Sequence, residues 1–141
     1  MMTSRQIDLV QQSFRLIEPI IEEAAVVFYE RLFEIDPSLE RLFHKLPREQ
    51  ARLLAETLTI IVDAIDHPAL LRVAAEALGA RCAGYGVRNE QYEAVGQALL
   101  WTLEHGLKDA FTSEVRGAWM AAYGWLAFIV QRASAGASSM E

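Results

Sequence analysis

Residues 78–92 run LGARCAGYGVRNEQY, a helix end, a turn and a helix start in one short stretch. The cluster Gly84-Tyr85-Gly86-Val87-Arg88-Asn89 carries two glycines and an asparagine, which marks a loop. Before it, apolar residues recur at helical spacing from Leu70 to about Gly84. After it, Asn89 is expected to cap a helix that turns Tyr92, Val95, Leu99, Leu100 and Leu103 inward and ends near His105-Gly106. The single cysteine of the chain, Cys82, falls in the last turn of the first of these helices.

The rest of the chain repeats this pattern of helix, stop and restart. A final helix begins near Thr112, with Val115, Trp119, Ala122, Tyr123, Leu126 and Val130 on one face. Residues 1–134 are expected to form one domain, and 135–141 a short, mobile polar tail. Toward the N-terminus, Asp66-His67-Pro68 stops a long helix that opens at Pro47 and aligns Leu54, Leu58, Ile61, Val62 and Ile65. Asp36 followed by Pro37 announces a short helix ending at Leu42-Phe43. Ile21, Ala24, Ala25, Phe28 and Leu32 form the stripe before it, and Pro19 separates that stripe from a first helix. Thr3 with Gln6 is a capping box that starts the chain's helical course. No strand pattern and no repeat emerges, so the class is all-α, with about seven helices.

Composition bounds the function. The 141 residues are 52% hydrophobic and 23% charged, a globular balance in a chain that fits one domain. A net charge of −6 opposes nucleic-acid and anionic-membrane partners, and no apolar run is long enough to span a bilayer. The opening MMTSRQID lacks the features of a signal peptide, and one cysteine cannot close an internal disulfide. A reducing cytoplasm is therefore the expected location. There is no phosphate-binding glycine loop, zinc-ligand spacing or nucleophile elbow. The histidines are three, His44, His67 and His105, and any imidazole chemistry must draw on them.

Two stretches carry a family resemblance. One is Phe28-Tyr29-Glu30-Arg31-Leu32-Phe33, continuing through Pro37 to Leu42-Phe43. The other runs from Leu78 to Tyr123, with Gly86-Val87, Tyr92, Val95-Gly96, Leu99-Leu100, Ala118-Trp119 and Tyr123-Gly124 in register. In order and spacing they resemble the globins, in particular bacterial single-domain haemoglobins and the globin domain of flavohaemoglobins, from about residue 5 to 133. The resemblance implies a three-over-three globin fold around a haem pocket, with haem b and its iron as cofactor. It implies O2, NO, CO or a small oxidant as ligand. Residue by residue, Phe43 matches the phenylalanine packed on the haem face and Tyr29 the distal tyrosine. Gln50 matches the distal helix position, and Leu54, one turn on, the apolar wall over the ligand. Trp119 and Tyr123 match positions of the last helix.

The chain departs from the family at the metal. The proximal histidine falls on Cys82, ten residues before Tyr92. In bacterial relatives the tyrosine at Tyr92 joins a glutamate of the last helix in holding that histidine, and the glutamate falls on Ser134. An imidazole gains basicity from a carboxylate partner, whereas a thiolate would be repelled by one. Loss of both together is what a Cys82 thiolate would favour, and Tyr92 could instead donate its O–H to the sulfur. The helix C-terminus disfavours a bare thiolate, but ferric iron removes a coordinating thiol's proton outright. Thiolate ligation pushes electron density onto iron and favours O–O cleavage over reversible oxygen carriage.

Other readings stay open. A lone cysteine is most often inert packing. His44 is a surface histidine or lies near a propionate, and Arg81 points to solvent or to a propionate; His67 and His105 carry no chemistry. The resemblance implies either a haem-binding globin for diatomic gases or small oxidants, with peroxide or reactive-nitrogen chemistry at Cys82, or a haem-free globin-fold sensor or interaction module. Nitric oxide dioxygenation, the activity the family implies, needs electrons from a separate reductase. A monomer and a homodimer are both compatible with the resemblance.

Overall fold

The computed structural model describes residues 2–42 and 47–139, with the side chains at 47, 82, 84, 85 and 134–139 outside the description. Six α-helices follow one another: α1 (Ser4–Ile17), α2 (Ile21–Ile35), α3 (Pro47–Ala64), α4 (Pro68–Tyr85), α5 (Gln91–Leu107) and α6 (Ser113–Ser139). The short helix expected after Asp36 is a 3-10 helix, Pro37–Leu42, and two further 3-10 turns cover Glu18–Ile20 and Lys108–Ala110. Among the described residues there is no strand, and no helix is long and apolar enough to cross a membrane.

Local chemistry sets these boundaries. The Thr3 hydroxyl accepts from the Gln6 N–H at 3.1 Å, and the Gln6 side chain accepts from the Thr3 N–H at 2.9 Å, the reciprocal capping box. Asp36 Oδ1 accepts from the Ser38 N–H across Pro37, and Thr112 Oγ1 accepts from the Val115 N–H at the head of α6. Asn89 is not the cap of α5. That helix starts at Gln91 behind Glu90 with no side-chain cap bond. Gln91 takes over the task because its longer amide reaches both ways: Oε1 accepts from the Arg88 N–H at 2.8 Å, and Nε2 donates to Ser38 Oγ at 3.2 Å. Helix α5 also runs past Gly106, where an added Cβ would stand 2.6 Å from Ile17 Cδ1. Gly106 thus serves close approach of α1, and the helix ends instead at Lys108, in the left-handed region with φ 52°. Helix α6 continues to Ser139, into the stretch read as a tail.

The helices stack as a three-over-three globin fold. Helices α1, α3 and α4 form one layer and α2, α5 and α6 the other; α4 and α1 lie on α6, and α2 lies against α3 and α5. The main core joins Val10, Phe14 and Ile17 of α1 to Ile61, Val62 and Ile65, Leu71, Leu103 and Trp119. Burial of each such side chain is worth about 1.5–3 kcal/mol. One buried polar link sits inside it: Trp119 Nε1 donates to Ser13 Oγ at 2.9 Å, and Ser13 passes its proton to the Leu9 carbonyl at 2.6 Å. Leu54 and Leu58, on the same stripe as Ile61, are only half-buried. They face a hole.

Candidate functional site

The hole is a partly open cavity of about 180 Å³ between α2, α3, α4, α5 and α6, with the end of α1 as its floor. Its walls are mostly aliphatic and aromatic, among them Phe14, Phe28, Leu54, Leu58, Leu99 and Leu126. Four of the residues expected at the site, Tyr29, Gln50, Leu54 and Tyr92, line it together. Phe43 lies outside the described residues, as does the side chain of Cys82.

On the α2–α3 side, Gln50 Nε2 donates to the Tyr29 hydroxyl at 3.2 Å. The local sequence explains the meeting. Gln50 occupies the first turn of α3, just inside Pro47, and its position faces α2 rather than solvent, leaving it 5% exposed. Tyr29 is held edge-on by Phe28 at 5.2 Å and tilted against Phe33 at 5.9 Å. Gln50 Oε1 is buried with no hydrogen-bond partner among the described residues. A buried amide oxygen left this way costs about 1–3 kcal/mol, so its persistence marks a place prepared for something else. Exchange of the amide's O and N would have Gln50 accept from the Tyr29 hydroxyl and present an N–H instead. Either arrangement gives the cavity polar groups on one wall.

The opposite wall is α4. Leu71, Ala75 and Leu78 step along its inner face, the first two 1% and 0% exposed, and the position of Cys82 is the next step of that stripe, four residues beyond Leu78. Arg81, half-buried on the cavity rim, sends Nη1 to Thr57 Oγ1 of α3 at 3.2 Å. At the far end, Tyr92 in the first turn of α5 is 7% exposed, and its carbonyl accepts from the Tyr123 hydroxyl at 2.5 Å. Tyr123 reaches it by crossing Gly96, where an added Cβ would stand 2.7 Å from the ring. The expected partner position, Ser134, lies on α6 with its side chain outside the description.

Neither His67 nor His105 touches the cavity. His67 is exposed in the turn before α4, 3.7 Å from Asp66, and His105 is stacked on Trp101 at 3.9 Å. Among the described residues no three His, Cys, Asp or Glu side chains gather as a closed metal cage. The shifted titrations are at the surface: Arg5 holds the Glu114 carboxyl below its ordinary range, first by hydrogen bonding and then by charge, and is itself raised by it. Taken together, the lining suits a flat apolar group with an anionic edge: aliphatic walls, a polar pair over one face, a guanidinium at the rim. The Arg81–Thr57 and Tyr123–Tyr92 contacts were not legible from spacing, because each joins residues of different helices. The Gly96–Tyr123 pairing, a glycine beside a large ring, was their only trace.

A family model for the globins matches residues 26–129. The chain belongs to the globin family. Tyr29, Gln50, Leu54, Cys82 and Tyr92 all fall inside the matched stretch of this globin. Among curated proteins it is 32% identical over 130 residues to a flavohemoprotein of Vibrio cholerae, a match covering 90% of this chain and 33% of that protein. A flavohemoprotein of Rhizobium meliloti is 37% identical over 106 residues, covering 73% and 26%. The globin thus spans about a third of the length of the curated relatives it matches. Among solved structures, a hexacoordinated heme protein from an anhydrobiotic tardigrade superposes with a TM-score of 0.85 over 94% of this chain and 95% of that one, at 18% identity. That likeness establishes the fold.

Proposed function

We propose that this globin binds haem b: Tyr29, Gln50, Phe43, Leu54 and Tyr92 would hold the group, and Cys82 would give its sulfur to the iron. The observation that carries the reading is the Gln50–Tyr29 pair, with its unpartnered amide oxygen, on the wall of an otherwise apolar cavity. The flavohemoprotein relatives and the tardigrade heme protein support the cofactor.

When bound, haem supplies an iron that takes O2, NO, CO or small oxidants, and an anionic sulfur ligand biases it toward O–O cleavage. The chain's own residues supply the rest. Tyr29 and Gln50 would offer hydrogen bonds to a polar ligand, Leu54 and Leu58 would exclude water, and Phe43 would be the residue that packs on the cofactor. Tyr92, whose carbonyl accepts from the Tyr123 hydroxyl, would donate its O–H to a Cys82 thiolate and moderate its basicity. The exposed sites of His67 and His105 remove two imidazoles from competition. We therefore read a haem-thiolate globin, working in a reducing cytoplasm on peroxide or reactive nitrogen species. Any turnover draws electrons from a flavin reductase lying outside residues 1–141.

Titration of the purified chain with haemin tests the reading. A Soret band saturating at one haem per chain, weakened in Tyr29→Phe and Gln50→Leu only in its ligand affinity, is expected. A chain that never develops the band is a haem-free globin-fold module, and the proposal then fails.

A further inference from the structure

We propose that the Arg81–Thr57 hydrogen bond is a latch across the cavity mouth, which the cofactor opens and whose guanidinium then seats a cofactor carboxylate; this rests on the haem reading above. Thr57 Oγ1 gives its proton to the Leu53 carbonyl at 2.8 Å, so its lone pairs face outward, and Arg81 Nη1 donates to it at 3.2 Å. The bond ties α4 to α3, and both residues line the cavity.

The cavity is too small for a porphyrin as it stands. A dry apolar hole of roughly 150 Å³ admits one benzene ring, and a porphyrin carries four pyrroles. At about 180 Å³ the space must widen by parting α3 from α4. These helices are joined at one end by the turn at 65–67 and latched toward the other by Arg81. The turn is the hinge and Arg81 the catch.

The catch is also poorly matched to its partner. Arg81, like Arg15, Arg116 and Arg132, pairs with no carboxylate among the described residues, but of these it is the one that lines the cavity. A guanidinium offers five N–H donors in a fork suited to a carboxylate, and a single neutral hydroxyl uses one of them. Haem b carries two carboxylates on one edge. Exchanging Thr57 for one of them converts a neutral hydrogen bond into a charge-assisted, bidentate one. The exchange compensates for parting the helices and makes the loaded state the tighter one.

The test mixes empty protein with haemin, follows release to an excess of a scavenging apoglobin, and repeats binding with metal-free protoporphyrin and its dimethyl ester. Thr57→Val removes the catch but keeps the seat: uptake is expected to quicken about ten-fold with release unchanged. Arg81→Met removes both: uptake quickens, and release also speeds about ten-fold. The wild type should prefer free-acid porphyrin over the ester by about ten-fold, a preference kept in Thr57→Val and lost in Arg81→Met. Arg81→Lys, which keeps one charge without the fork, should fall between and guards against a misfolded methionine variant. In the empty chain, amide exchange in the second half of α4 should rise equally in Thr57→Val, Arg81→Met and the double variant, since all remove one bond. Equal binding of acid and ester, or unchanged uptake in both variants, overturns the latch and leaves the haem reading standing. A wild-type chain that takes up no porphyrin overturns both.

Discussion

Gln50, in the first turn of α3, donates to the hydroxyl of Tyr29 on α2 at 3.2 Å, and its amide oxygen is buried without a partner among the described residues. The contact joins two layers of the fold at the point where the cavity wall turns polar. It is better suited to receiving a ligand than to holding helices together, and that asymmetry separates stability from affinity.

Gln50→Leu should therefore act in opposite directions on the two. Removing a buried unsatisfied oxygen is expected to stabilise the empty chain by about 1 kcal/mol. In the haem-loaded protein the same change should speed O2 release about ten-fold, since a donor over the ligand is lost. Urea unfolding and flash-photolysis or mixing kinetics report the two effects. A destabilised empty chain would show that the amide oxygen is satisfied.

Gly96 and Tyr123 should be coupled. Gly96→Ala drives a Cβ to 2.7 Å from the tyrosine ring and is expected to cost about 1–3 kcal/mol. Tyr123→Phe, losing only the bond to the Tyr92 carbonyl, should cost about 1 kcal/mol. Tyr123→Leu, which clears the space, should relieve most of the Gly96→Ala penalty. Additive penalties in that double variant would rule out the contact.

Trp119→Phe tests the core link to Ser13. The loss of the indole N–H bond and of ring volume is expected to lower stability by about 2–3 kcal/mol. Ser13→Ala should lower it by about 1 kcal/mol, and the double variant by little more than Trp119→Phe alone. Denaturant midpoints measure the cycle.

The Arg5–Glu114 pair joins α1 to α6 at the surface, at 2.8 Å. Its contribution should depend on pH in one direction. The Glu114 carboxyl is lowered in the folded chain, so its stabilisation is present above the unfolded value and lost as pH falls through the folded one. Thermal scans of wild type and Glu114→Gln should differ slightly at neutral pH and low salt, and converge in acid or at high salt.

How far the amino-acid sequence foretold this fold depended on the kind of contact. Thr3 with Gln6, Pro37, Pro47 and Pro68 announced helix starts, because capping and proline geometry act within a few residues. Asn89 misled, since nothing local told that Gln91 would bridge Arg88 and Ser38 across the chain. The family register of Tyr29, Gln50, Leu54 and Tyr92 located four residues that share one cavity. The Tyr123–Tyr92 and Arg81–Thr57 bonds were harder to foresee, because a hydrogen bond between helices depends on packing angle and not on spacing.

The ligand opposite Tyr29 and Gln50 is the centre of the account, and the ferrous carbonyl spectrum reads it most directly. Reduced wild-type protein under CO should show a Soret band red-shifted from that of histidine-ligated globins, and Cys82→Ala should abolish the shift. An ordinary histidine-type carbonyl band, unchanged in Cys82→Ala, would contradict thiolate ligation by Cys82.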